Sequence, residues 1–103
     1  MNGAGVTRSE VLEKLNSHRE GWKAFGVSSL ALFGSVARDE ATDSSDIDIL
    51  VEYEPDAHPG LFEFIDLQHY LSDLLGRRVD LATPEALRKE MKSDILREAV
   101  YAG

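Results

Sequence analysis

An α+β fold, a small β-sheet covered by helices, is what this sequence predicts, and three observations carry the prediction. Short β-type runs recur at 27–33 (VSSLALF), 46–53 (DIDILVEY) and 77–83 (RRVDLAT). Around them lie stretches whose apolar residues repeat at helical spacing, most clearly at 61–75. The resulting order, α-α-β-α-β-α-β-α, implies a small sheet with helices packed over it.

Ser9 followed by EVLEKL reads as a helix start, with Val11, Leu12 and Leu15 on one side. Gly21 marks a break, and Trp22 and Phe25 extend the apolar pattern beyond it. Gly26 punctuates, the run 27–33 is a strand, and Gly34 is its turn signal. Ser35 has the hydroxyl of a good N-cap and opens a short helix to about Ala41, after which Thr42 to Ser45 form a polar loop. In 46–53, Ile47, Ile49, Val51 and Tyr53 alternate with Asp46, Asp48, Leu50 and Glu52, the two faces of one strand. EPDAHPG is a loop with two prolines. From 61 to 75, Phe64, Leu67, Leu71 and Leu74 make a core stripe flanked by Leu61 and Leu75, and Gly76 ends the helix as a C-cap glycine does. Beyond the third strand, Thr83-Pro84-Glu85 reads as an N-cap, an N1 proline and an acidic first turn, opening a last helix to about Arg97 with EAVYA extended after it.

The 103 residues make one domain, 1–103, of which 1–8 are expected to be flexible. Hydrophobic residues at 43% and charged residues at 29% exclude wholesale disorder. No apolar run approaches the roughly 20 residues that cross a bilayer, and MNGAGVTRSE lacks the regions of a signal peptide. A cytoplasmic location with no membrane partner is therefore expected. The absence of cysteine excludes disulfides, thiolate metal sites and a Cys nucleophile. A net charge of -8 argues against direct nucleic-acid binding, because phosphate backbones are gripped by surplus Lys and Arg. It suits a basic partner, although the same charge also serves solubility.

Two residues apart in a strand, Asp46 and Asp48 present their carboxylates on one side while Ile47 and Ile49 anchor the other. Such charges repel and raise each other's pKa. Mg²⁺ relieves the repulsion by taking one or two carboxylates and completing its shell with water and phosphate oxygens. Alone, a D-x-D is more often a solvated strand end or turn. Gly34-Ser35 supplies a second half: no Cβ keeps a ligand from the backbone at Gly34, and Ser35 at a helix start offers N–H groups, a hydroxyl and the positive dipole end. Alone, that too is more often a turn. Together the two make a nucleoside-triphosphate site. Arg38 reaches phosphate or pairs with Asp39, Glu40 or the acidic cluster, and Ser45 contacts phosphate or shapes the turn before Asp46. Arg77 and Arg78 touch nucleotide or partner or, the better-supported reading, are solvated where the third strand begins. His18, His58 and His69 lack metal-ligand spacing, and Tyr53, Tyr70 and Tyr101 are read as packing residues.

GSVARDEATDSSDID, residues 34–48, carries a G-S-x10-D-x-D pattern and resembles the signature of the DNA-polymerase-β-like nucleotidyltransferases. Nearly the whole chain is similar to the minimal nucleotidyltransferase (MNT) subfamily, including GVSSLALFGSVAR around the first motif and TPEALRKE and ILREAVY after it. The resemblance implies the nucleotidyltransferase fold, a small mixed β-sheet flanked by helices, and makes Asp80 in RRVDL the third aspartate. It implies that Asp46, Asp48 and Asp80 are catalytic and hold two Mg²⁺ ions, and that ATP is the substrate, bound through Gly34 and Ser35 with Arg38 and Ser45 as further candidates. The acceptor hydroxyl would attack the α-phosphate and release pyrophosphate. It further implies an antitoxin that transfers AMP to a tyrosine of a HEPN-domain ribonuclease toxin. The alternatives are neutralisation by binding alone, or transfer to a small-molecule hydroxyl, against which the lack of an acceptor-binding domain counts. Many relatives carry Gly where this chain has Asp39, which puts the loop geometry there in question.

Overall fold

Strands β1 (Val27–Phe33) and β2 (Ile47–Tyr53) pair antiparallel, β3 (Val79–Ala82) lies parallel to β2, and the two-residue β4 (Val100–Tyr101) runs antiparallel to β1. One mixed sheet of order β3-β2-β1-β4 results, in a computed structural model that describes residues 6–102. Helices α1 (Arg8–Ser17), α2 (Arg19–Lys23) and α4 (Leu61–Leu75) bring Val11, Leu15, Trp22, Leu67 and Leu71 onto one face, against Leu30, Leu32, Ile47, Ile49, Val51 and Val79. The indole N–H of Trp22 donates to the Leu15 carbonyl at 2.8 Å, so the one polar atom of this large core residue is satisfied.

Strand parity puts Phe33, Asp48 and Asp80 on the opposite face, with Ala31 and Leu50 buried beside them. Over that face, α5 (Lys89–Glu98) packs on β1 and a 3-10 turn, Pro84–Ala86, packs on β2. A bulge sets the parity of β1: Val27 pairs with Tyr53 and Ser29 with Glu52, leaving Ser28 as the extra residue. Val27 thereby joins the even-numbered Leu30 and Leu32 in one core, which strict alternation would forbid.

Several boundaries differ from the sequence reading. The N-cap of α1 is Thr7, not Ser9: Thr7 Oγ1 accepts from the Glu10 amide at 3.2 Å, and Glu10 Oε1 accepts from the Thr7 amide at 3.0 Å. Of the expected flexible stretch 1–8, residues 1–5 lie outside the described residues, while Thr7 and Arg8 belong to this helix start. The helix expected from Ser35 to Ala41 is the four-residue α3 (Gly34–Ala37). Its N-cap is Phe33, so Ser35 sits inside the first turn, and the left-handed Asp39 (φ 58°) stops any continuation. The single last helix is broken: Leu87 and Arg88 are extended, with ψ of 143° and 140°, and this redirects the chain from the turn on β2 to α5 on β1. Gly76 is the left-handed C-cap of α4 (φ 69°), its amide bonded to the Ser72 carbonyl at 2.8 Å. Among the described residues no helix is long and apolar enough to cross a membrane.

Candidate active site

The parallel register sets Asp48 of β2 directly against Asp80 of β3. Paired positions on neighbouring strands, about 4.8 Å apart, project to the same face. Asp46 precedes β2 and lies two residues before Asp48, so the three carboxylates gather at one end of the sheet. Asp48 is half-buried. Burial first, then the charges of Asp80 and Asp46, push its carboxyl from 3.8 up to about 6, while Arg38 acts in the opposite direction. Three acids that the fold could have scattered thus form one electrostatic unit.

Gly34 meets that unit from the end of β1. Its φ of +73° favours glycine, and a Cβ there would overlap the Asp48 carboxylate, standing only 3.0 Å from Cγ. Backbone and acid are in contact here because Phe33 is the register partner of Asp48. Ser35 follows in α3, with its carbonyl accepting from the Glu40 amide at 2.8 Å.

Arg38 pairs with Glu40 at 3.0 Å and, across to α5, with Glu98 at 2.9 Å, within electrostatic reach of Asp48. Asp39 is not its partner. The Asp39 carboxylate instead accepts from the Arg8 amide at the start of α1 at 2.8 Å, and Arg8 Nη1 donates to the Ala37 carbonyl at 3.0 Å. Aspartate tolerates the left-handed region better than most residues, and here its side chain also ties α1 to the end of α3. Ser45 Oγ accepts from the Thr42 amide at 2.9 Å, and the Ser45 amide donates to the Thr42 carbonyl at 3.1 Å, so this hydroxyl shapes the turn before Asp46.

Sequence reading missed Arg77, which it left solvated. Its Nη1 donates to the carbonyls of Ser45 at 3.0 Å and Thr42 at 3.3 Å. Those contacts span 32 and 35 positions, so no local pattern announces them.

Among the described residues no three acidic or histidine side chains converge into a ready-made metal cage. Mg²⁺ needs none, since one or two carboxylates hold it while water and substrate phosphates complete the octahedron. Concavities of about 490 and 440 Å³ lie on the helical face, beside Lys14 and Leu75 and beside Gly21 and Tyr70, and none of the candidate residues lines either. The carboxylate end of the sheet is picked out by its charge and backbone geometry, which bear on chemistry more directly than a concavity does.

Residues 10–102 match the family described as Nucleotidyltransferase domain. The protein adenylyltransferase MntA of Thermococcus cleftensis is 41% identical over 99 residues, which cover 95% of this chain and 98% of that protein. A solved structure provisionally described as a minimal nucleotidyltransferase is 36% identical, superposes with a TM-score of 0.69, and is matched over 86% of this chain and 93% of its own. A complex of tri-AMPylated Shewanella oneidensis HEPN toxin with MNT antitoxin superposes with a TM-score of 0.64 at 16% identity, over 94% of this chain and 72% of that one, a likeness of fold.

Proposed function

This chain belongs to the nucleotidyltransferase domain family, and we propose that it is an Mg²⁺-dependent protein adenylyltransferase that moves AMP from ATP to a tyrosine hydroxyl of a partner protein. The observation that carries the reading is the carboxylate unit of Asp46, Asp48 and Asp80 pressed against the glycine turn at Gly34. Mg²⁺ fits this donor set, because a cation offsets the repulsion that Asp80 and Asp46 exert on the Asp48 carboxylate. When bound, it would supply charge neutralisation for the triphosphate and for the attacking oxygen.

Asp46 and Asp48 would hold the metal, with Asp80 completing a second metal site. Gly34 admits the triphosphate to the backbone, and Ser35 donates from its amide and hydroxyl to phosphate oxygens. Asp80, exposed at the rim, takes the proton of the acceptor hydroxyl as its oxygen bonds to the α-phosphorus and the bond to pyrophosphate breaks. Arg38 reaches phosphate by exchanging Glu98 for it, and Ser45 serves the site through the turn it holds.

The partner in this reading is a HEPN-domain toxin, with the chain, one domain over 1–103, acting as the cytoplasmic antitoxin. A relative named as a protein adenylyltransferase and matched over 98% of its own length supports the activity, and the fold likeness to an MNT antitoxin seen with an AMPylated HEPN toxin supports the partner. The net charge of -8 favours docking on a basic protein over direct contact with nucleic acid. The test is the intact mass of a HEPN-domain protein encoded beside this chain after incubation with Mg²⁺, ATP and either wild type or the Asp46→Asn/Asp48→Asn double variant. Increments of AMP with wild type alone support the reading. A toxin silenced equally by both proteins with no change in mass makes the chain a binding antitoxin instead.

A further inference from the structure

We infer that Arg77 is a positioning residue for the metal-binding carboxylates, a role that rests on the nucleotidyl-transfer reading above. Asp46 sits between two ties to the start of β3. On its N-terminal side the Ser45 carbonyl accepts from Arg77 Nη1 at 3.0 Å, and on its C-terminal side the Ile47 amide donates to the Arg78 carbonyl at 3.0 Å. The same Arg77 nitrogen reaches the Thr42 carbonyl at 3.3 Å, which also accepts from the Ser45 amide. One guanidinium therefore gathers both carbonyls of the turn that delivers Asp46. Asp80 lies three residues beyond Arg77 on the same segment, so the clamp ties the backbone of the first aspartate to the strand that carries the third.

The chemistry of the pair demands such a tie. Like charges brought to one end of the sheet repel, and Asp46, unlike Asp48, is not itself within a paired strand, so the turn that carries it needs a tie of its own. Hydrogen bonds from a charged donor to neutral carbonyls are stronger than neutral ones and leave the carboxylates free for the metal. Arg77 does this without adding an anion.

The experiment compares wild type, Arg77→Ala and Arg77→Lys by thermal shift with ATP as Mg²⁺ is titrated, and by transfer to the HEPN partner over the same titration. Arg77→Ala should raise the half-saturating Mg²⁺ concentration by about ten-fold or more, the range in which groups supporting metal ligands act. Its melting temperature without ligand should change little, and saturating Mg²⁺ should restore most of the transfer rate. Arg77→Lys, keeping one charged donor, should recover part of the Mg²⁺ affinity. A Mg²⁺ curve for Arg77→Ala superimposable on wild type overturns the positioning role and leaves the nucleotidyl site standing. A wild type with no Mg²⁺–ATP response in either readout sinks that site and the inference with it.

Discussion

Replacing Asp48 with Asn should stabilise the unliganded protein, and only above a definite pH. Burial, Asp80 and Asp46 raise the Asp48 carboxyl from 3.8 to about 6 in the folded chain. A folded-state value above the unfolded one means that the native state binds the proton more tightly. The stability this contributes is fully present below about 3.8 and is lost as the pH rises through about 6. Taken at face value the difference is roughly 3 kcal/mol. The group is half exposed, and screening by solvent cuts this to about 1 kcal/mol. Asn keeps the shape and removes the charge, so Asp48→Asn escapes the loss. For a domain of this size, 1 kcal/mol corresponds to about 4–8 °C in Tm. Melting curves from pH 4 to 8 without divalent cations should show the variant level with wild type at the acid end and higher by about that margin near pH 7. Millimolar Mg²⁺ with ATP should then close the gap by stabilising wild type alone. A variant less stable than wild type at pH 7, or a gap of the same size at pH 4 and pH 7, would refute the reasoning.

Gly34→Ala must place a side chain at φ +73° and into the Asp48 carboxylate. The backbone part alone should cost about 1–2 kcal/mol, and the ATP-induced thermal shift should vanish; normal ATP binding would reduce Gly34-Ser35 to a turn. Thr7→Ala removes half of the capping box of α1 and none of the candidate site residues, so a loss of about 1 kcal/mol in chemical denaturation should leave the ATP response unchanged. Asp80→Asn should keep most of the ATP-induced thermal shift yet lose transfer to the partner by orders of magnitude, as expected of a group acting in the transition state; equal losses in binding and transfer would place Asp80 in triphosphate binding instead.

The carboxylate unit was legible because its parts are written locally: Asp46 and Asp48 two apart in an alternating run, Gly34-Ser35 at a strand end, and Asp80 in a third β-type run. The sheet followed from the same periodicities, and even the short β4 was readable in EAVYA. What escaped was long-range or competed with a stronger local cue. The ties from Arg77 to Ser45, Arg8 to Asp39 and Arg38 to Glu98 span 32, 31 and 60 positions. Side-chain hydrogen bonds of that reach depend on register and packing, which no window of sequence contains. The start of α1 was a misjudged competition: Ser9 has Leu12 three residues on, whereas Thr7 has Glu10 and therefore the full capping box. The break at Leu87-Arg88 is likewise tertiary, since Thr83, Pro84 and Glu85 are sound helix starters and the divergence of β2 and β1 contacts is what parts the turn from α5.

Adenylyl transfer from the carboxylate end of the sheet is tested most directly by following each phosphate. The chain, Mg²⁺ and the HEPN-domain partner are incubated with ATP labelled on the α-phosphate or, separately, on the γ-phosphate, and protein-bound label is measured for wild type and for Asp46→Asn/Asp48→Asn. Attack at the α-phosphorus with pyrophosphate leaving predicts α-label on the partner with wild type only, and γ-label on neither protein. Protein-bound γ-label would make the reaction a phosphoryl transfer, and α-label undiminished in the double variant would move the chemistry away from Asp46 and Asp48.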